Sequence, residues 1–294
     1  MIRFSAPAKV HLIGEHAVVY GKPAIISAID KRLYLSLLPS KNTAHQVDKN
    51  IAKIKIAIEG TIKKTYKIQK NPHYQVEIDA QFPIGSGLGA SAAISATLTA
   101  ALLKLLKIKA GKQQIYDIAI AGERAIHGNP SGSDLAAIIF GGTLYFRKES
   151  ENIKLLCPIP FKSPALFLIN SGKPIESTGQ MITKVAKLSA LVKKKCFDQL
   201  ELLTKNLSSE SNDIKQIFKE ANSCLTNLGV VSKETQKLIS QIEKSGGAAK
   251  ITGAGGWKNG SGMILVYHPK PEKLKALGLE IIKIKLGQEG LRNE

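Results

Sequence analysis

Pro83-Ile84-Gly85-Ser86-Gly87-Leu88-Gly89-Ala90-Ser91-Ala92-Ala93 is a glycine-dense turn running into a helix of small residues. Glycine lets the backbone approach a bulky ligand and take φ > 0 without strain. The first N–H groups of a helix have no partner inside it, and the helix dipole places partial positive charge there. The stretch therefore reads as a phosphate cradle, with a purely structural glycine turn as the alternative. Two familiar phosphate loops are excluded. A Walker loop ends in Gly-Lys-Ser/Thr, whereas Ala90 and Ser91 follow Gly89 here. Gly85 to Ala90 fits G-x-G-x-x-A, but the dinucleotide pattern also needs an acid about 20 positions on. The chain has Lys104, Lys107, Lys109 and Lys112 there, and no acid before Asp117.

The 294 residues suit one or two domains, and 44% hydrophobic content is that of a globular protein. The start, Met1 to Pro7, has no apolar secretory core. Phe82 to Leu103 is uncharged, but it is crowded with Gly, Ser, Thr and Ala and reads as a buried helix, so no membrane partner is expected. Cys157, Cys196 and Cys224 are scattered and odd in number, which fits a cytoplasmic location rather than a disulfide framework. The formal net charge is +19, carried almost wholly by lysine, with 5% aromatic residues. Base readout favours arginine forks, and single strands favour aromatic stacking. The charge therefore predicts a solvated lysine-rich surface with no specific nucleic-acid partner, although a basic scaffold or nucleic-acid-binding role stays open.

Around the loop, strand patterns are expected at Phe4–Gly14, Ala24–Ala28, Leu33–Leu37, Lys53–Ile58 and Tyr74–Ile78, with a loop over 39–50. Glu59-Gly60 reads as a turn and Tyr66 with Ile68 as a partner strand. Helices are expected from the loop to Lys107 and over Lys112–His127, where Gly128-Asn129-Pro130 ends the pattern. Further strands are expected at 143–147, 155–159 and 165–169. Three helical segments follow at 179–204, 211–227 and 232–245, with Ser232 as N-cap of the last. Strands at 249–251, 262–267 and 282–286 close the chain around a helix at 271–277. This is α+β order, with a domain change near 160–165.

Three stretches carry chemistry that could meet the loop. Lys9 lies between Ala8 and an apolar strand, where burial beside an anion or a surface position are both open; Glu15-His16 sits where that strand ends. Glu123 and Asp134 are two carboxylates flanking His127-Gly128-Asn129-Pro130-Ser131-Gly132-Ser133. They suit one metal ligand and one group handling an acceptor hydroxyl, and the alternative for Asp134 is a helix N-cap. Lys250 to Gly256 is a second glycine turn against a strand.

Together these motifs resemble the GHMP kinases, in family order from residue 6 to 256. Gly14-Glu15-His16-Ala17-Val18-Val19-Tyr20-Gly21 and His127 to Asp134 are similar to the members that phosphorylate mevalonate. The resemblance implies a two-domain GHMP kinase fold. Residues 1–162 would be a ribosomal-S5-like ATP-binding domain and residues 163–294 a ferredoxin-like domain, with the cleft between. It implies transfer from ATP to the 5-hydroxyl of mevalonate, a step towards isoprenoid precursors, with phosphomevalonate or a sugar as open alternative acceptors. Pro83, Gly85, Ser86, Gly87, Leu88, Gly89, Ala90 and Ser91 would bind ATP, and Ser91 with Glu123 would hold Mg²⁺. Asp134 and Lys9 would be catalytic. Glu15, His16, Ser177, Thr178 and Ala254 would line the acceptor. Relatives are often dimers, so a homodimer is an expectation too. The chain departs from the pattern at Ala90, where a serine is usual, at Ile175, where a basic residue can stand, and at Trp257–Gly262, a longer and bulkier turn.

Overall fold

The computed structural model describes residues 1–40, 48–69, 73–150, 154–161, 163–208 and 213–294. In chain order the strands are β1 Ile2–Ile13, β2 Ala24–Pro39, β3 Tyr74–Ala80, β4 Thr143–Lys148, β5 Lys154–Pro158, β6 Leu166–Asn170, β7 Ala248–Ile251, β8 Met263–Tyr267, β9 Ile282–Ile284 and β10 Arg292–Asn293. The helices are α1 Lys49–Tyr66, α2 Ala90–Leu105, α3 Lys112–His127, α4 Ser133–Phe140, α5 Thr178–Ala186, α6 Ala190–Leu207, α7 Ile214–Asn227, α8 Lys233–Lys244 and α9 Glu272–Ala276.

Two antiparallel sheets organise the chain. The first runs β10-β1-β2-β4-β5, with β3 also paired to β2; the second runs β7-β8-β6-β9. β2 is one long strand where two short ones were expected. Its start pairs with β4 (Ala24↔Phe146) and its end with β3 (Leu33↔Ala80). α2 packs on β1 and against both α1 and α3, which also pack on each other, while α7 and α8 cover β7. α2 is enclosed on nearly all sides, which is why its sequence is small and apolar all round. No helix among the described residues is long and apolar enough to cross a membrane.

The chain's last residues return to the first sheet. β10 pairs with β1 through Phe4↔Asn293 and Ser5↔Arg292. The buried Arg32 guanidinium donates to the carbonyls of Glu289 (3.0 Å), Gly290 (2.9 Å) and Ser5 (3.0 Å).

Several expectations are corrected. Lys53–Ile58 is not a strand, Glu59-Gly60 is not a turn, and Tyr66 ends a helix: all lie in α1. The Lys–Ile alternation mimics period two, but Ile54, Ile58 and Ile62 form a buried i, i+4 stripe while Ile56 is 70% exposed. Asp48 caps this helix by accepting from the N–H groups of Asn50 (2.8 Å) and Ile51 (3.4 Å), so the loop expected over 39–50 ends two residues early. Residues 41–47 of that loop lie outside the described ones. The helix expected over 179–204 is two helices, because Ser189 caps α6 by accepting from Val192 N–H (3.3 Å). Leu286 lies beyond β9 and bridges to Ile29 of the first sheet. Ser232 caps α8 as expected, accepting from Thr235 N–H (3.2 Å).

Candidate active site

A cavity of about 650 Å³ opens between the two sheets. The glycine loop, the end of β1, the C-terminal turn of α3, the start of α4, the start of α5 and the Gly253-Ala254 turn all reach it. Gly85, Gly87 and Gly89 have φ of +82°, +90° and +82°, the left-handed region that glycine alone occupies freely. No side chain caps the start of α2, so the first-turn N–H groups there are left for a ligand. A Cβ on Gly89 would meet Lys9 Cγ at 2.9 Å, and one on Gly87 would meet the Thr252 carbonyl oxygen at 2.4 Å. The two glycine turns therefore touch through bare backbone. Pro83, Ser86 and Leu88 do not line the cavity. They hold the loop: Ser86 Oγ donates to the Pro83 carbonyl (2.6 Å), and Lys9 N–H donates to the Leu88 carbonyl (3.0 Å).

Alternation along β1 puts Lys9 and His11 on one face while Ala8, Val10 and Leu12 enter the core. Lys9 is 1% exposed, which removes the surface alternative. Its Nζ lies 3.1 Å from Asp134 Oδ2 and 3.2 Å from His11 Nδ1. Asp134 is not the N-cap of α4; Gly132 is, with φ +86°, and Asp134 lies in the first turn with its side chain 32% exposed. Burial works to raise its carboxyl pKa, but Lys9 and then His11 overcome this and hold it below the ordinary value.

Glu123 lies inside the last turn of α3, buried, with its Oε1 without a hydrogen-bond partner. Burial, with the Asp134 charge added, pushes its carboxyl up to about 8, against the pull of Ser91 and Lys9. Ser91 Oγ lies 2.9 Å from His127 Nε2, and the same His127 nitrogen is 3.9 Å from Glu123. Burial lowers the His127 pKa. A magnesium ion takes one or two carboxylate or hydroxyl oxygens together with phosphate and water. An enclosed, unpartnered carboxylate oxygen beside a hydroxyl fits that demand. Among the described residues no group of three or more His, Cys, Asp or Glu could hold an ion alone, so phosphate oxygens and water would complete the shell.

Glu15 and His16 follow β1. Glu15 Oε1 accepts from Lys250 Nζ, whose other partners are the carbonyls of His11 (3.1 Å) and Ile251 (2.9 Å). Both side chains are sealed, at 1% and 0% exposure, and burial pushes each towards its neutral form against the pull of the other. His16 has φ +59°, rare for a residue with a side chain, and its Nε2 donates to the Ala254 carbonyl (3.0 Å). Burial lowers its pKa. Ser177 caps α5, accepting from Gln180 N–H (3.3 Å), and Thr178 follows; both reach the cavity, as does Ala254.

Sequence reading gave no individual role to His11, His127 or Lys250, although it quoted the stretches that hold them. It also passed over Lys173, an exposed cation on the cavity wall two residues before the Ile175 where a basic residue was sought. For His11 the available signal was its i+2 spacing from Lys9 on a strand.

The profile of the family described as "GHMP kinases N terminal domain" matches residues 50–142. A mevalonate kinase of Archaeoglobus fulgidus is 32% identical over 262 residues, spanning 86% of this chain and 88% of the relative. One of Pyrococcus abyssi is 28% identical over 100% of this chain and 98% of its own length. The solved Methanococcus jannaschii mevalonate kinase superposes with a TM-score of 0.79 at 21% identity, over 97% of this chain and 98% of that one, and has the same α+β fold. The chain belongs to the mevalonate kinase family of the GHMP kinases.

Proposed function

We propose that the protein transfers the terminal phosphoryl group of ATP to the 5-hydroxyl of mevalonate, giving 5-phosphomevalonate and ADP. The observation that carries this reading is the Lys9–Asp134 pair in one cavity with an uncapped helix start behind a glycine loop. Gly85 to Ser91 and the first-turn N–H groups of α2 cradle the triphosphate. Ser91 and Glu123 hold Mg²⁺, which when bound neutralises charge on the phosphate oxygens. Asp134, kept ionised by Lys9, accepts or orients the hydroxyl proton as the new O–P bond forms and the bond to the leaving ADP oxygen breaks. Lys9 turns its remaining positive charge to the phosphoryl group in flight. Glu15, His16, Ser177, Thr178 and Ala254 wall the acceptor end, while Lys173 adds a cation to the cavity wall beside Gly85.

The same reading includes a ribosomal-S5-like unit over residues 1–162, a ferredoxin-like unit over 163–294, a homodimer and a cytoplasmic location. The separate sheets support two units, although Leu286 and β10 of the second return to the first sheet, and the free cysteines support the location. Light scattering on the purified protein measures the dimer. The activity test is ADP release with ATP, Mg²⁺ and mevalonate. Mevalonate-dependent ADP is expected, with phosphomevalonate and sugars far poorer acceptors. Turnover of one of those without turnover of mevalonate overturns the substrate assignment.

A further inference from the structure

We infer that His11 is a positioning residue for phosphoryl transfer: its imidazole accepts from the Lys9 ammonium at Nδ1 and donates from Nε2 towards Ser133, fixing the lysine against Asp134. The inference rests on the Lys9–Asp134 assignment in the proposed function.

The hydrogen-bond directions follow from chemistry. An ammonium only donates, so the His11 Nδ1 at 3.2 Å from Lys9 Nζ must carry a lone pair, and the ring proton sits on Nε2. That nitrogen faces Ser133 Oγ at 3.3 Å and Asp134 Oδ1 at 3.7 Å. Ser133 Oγ is 2.9 Å from Ser131 Oγ, which also accepts from Ser133 N–H (3.2 Å). Donors thus run from Lys9 to His11 to Ser133, whose hydroxyl also meets that of Ser131, and tie the strand carrying the lysine to the helix start carrying Asp134.

The backbone of His11 is held as well. Its N–H donates to Thr252 Oγ1 (2.8 Å) and its carbonyl accepts from Lys250 Nζ (3.1 Å). His11 is 5% exposed, and the titratable groups that face it are Lys9, Asp134, Lys250 and the neighbouring His16. Burial first, then Lys9, lower its pKa to about 3, which favours the neutral ring that the Lys9 contact requires. Lysine has a flexible four-carbon stem and three donors. With one donor on Asp134 and one on His11, two directions of the tetrahedral ammonium are set, and the third follows. With Asp134 alone the ammonium would pivot, and misplacement by about 1 Å at a reacting centre costs up to about a hundredfold in rate.

Two variants separate positioning from packing. His11→Asn keeps an acceptor close to where Nδ1 lies; His11→Leu keeps the volume but offers none. The expected result is a kcat about 10- to 100-fold down for His11→Leu with KM for ATP within about twofold, and within about fivefold of the parent for His11→Asn. A packing role ranks them the other way, so equal losses or a better His11→Leu enzyme overturn the inference. Where His11→Leu fails to fold, nitrogen-15 NMR of histidine in the unmutated protein decides. A lone pair on Nδ1 with the proton on Nε2 from pH 6 to 9 is expected; an Nδ1–H or doubly protonated ring overturns it. The NMR arm needs no turnover. A parent without mevalonate-dependent ADP release therefore sinks the proposed function, while the hydrogen-bond geometry of His11 is still decided.

Discussion

Lys9 and Lys250 are the two fully enclosed lysines among the largest buried side chains, and each faces a carboxylate. Their surroundings differ in one respect. The partner of Lys9 is Asp134, with a side chain 32% exposed on the cavity; the partner of Lys250 is Glu15, at 1%. The open pair keeps a carboxylate that reaches the cavity and, against the effect of burial, is held ionised by Lys9, as its proposed role at the acceptor requires. The sealed pair joins β7 of the second sheet to the turn after β1 of the first, and burial works against its charges. One residue type in one kind of pair thus leaves its carboxylate open to the cavity in one place and joins the two sheets in the other.

The comparison is sharpest at the carboxylates. Asp134→Asn should lower kcat about 10³-fold, roughly 4 kcal/mol of barrier, with a melting temperature within a few degrees of the parent. A loss under about tenfold in the coupled ADP assay removes Asp134 from the centre of the reaction. Lys250→Met should do the reverse and act on folding. It leaves Glu15 buried without its cation, a loss of about 3 kcal/mol or more in urea unfolding. Adding Glu15→Leu should return most of that stability; a double variant no better than the single one means the pair is not the sealed unit described.

Glu123 offers a third, intermediate case, a buried carboxylate without a lysine of its own. Its pKa is raised from 4.5 to about 8, so the folded state keeps the proton that the unfolded chain releases. Its contribution is fully present below pH 4.5 and is lost as pH rises through about 8. Metal-free Glu123→Gln should therefore melt a few degrees higher than the parent at pH 9, and no higher at pH 4. Mg²⁺ with ATP should raise the parent's melting temperature at pH 9 by more than it raises the variant's. The smallest effect belongs to an exposed cluster. Lys22 bonds Asp198 (2.8 Å) and Glu201 (2.6 Å) on α6 in contact with water. Lys22→Ala should move the melting temperature by no more than about 2 °C, because solvent screens such pairs. A larger drop would mean that burial is not what separates strong pairs from weak ones here.

What could be read from the chain follows from how local each signal is. The glycine loop and α3 are contiguous, with their stop signals beside them, and were legible in full. Lys9 in an apolar strand left burial and a surface position open, and the spacing of Asp134 suited an N-cap that Gly132 takes instead; only the family resemblance brought the two together. α1 was not legible, because alternating lysine and isoleucine satisfies both periods and Gly60 weakens a helix reading. The roles of His11 and Lys250 were hidden for another reason. His11 meets Ser133 across 122 positions and Lys250 meets Glu15 across 235, and no local pattern encodes such partners.

The return of β10 to β1 has a consequence for the growing chain. Arg32 is made 257 residues before the carbonyl of Glu289 that it bonds. Until those residues leave the ribosome, β1 has an open edge and the guanidinium lacks two of its acceptors. A product cut short before Glu289 keeps an exposed strand and an under-bonded cation that chaperones and proteases can recognise. The seam between β1 and β10 can therefore close only once the chain has been made through residue 293.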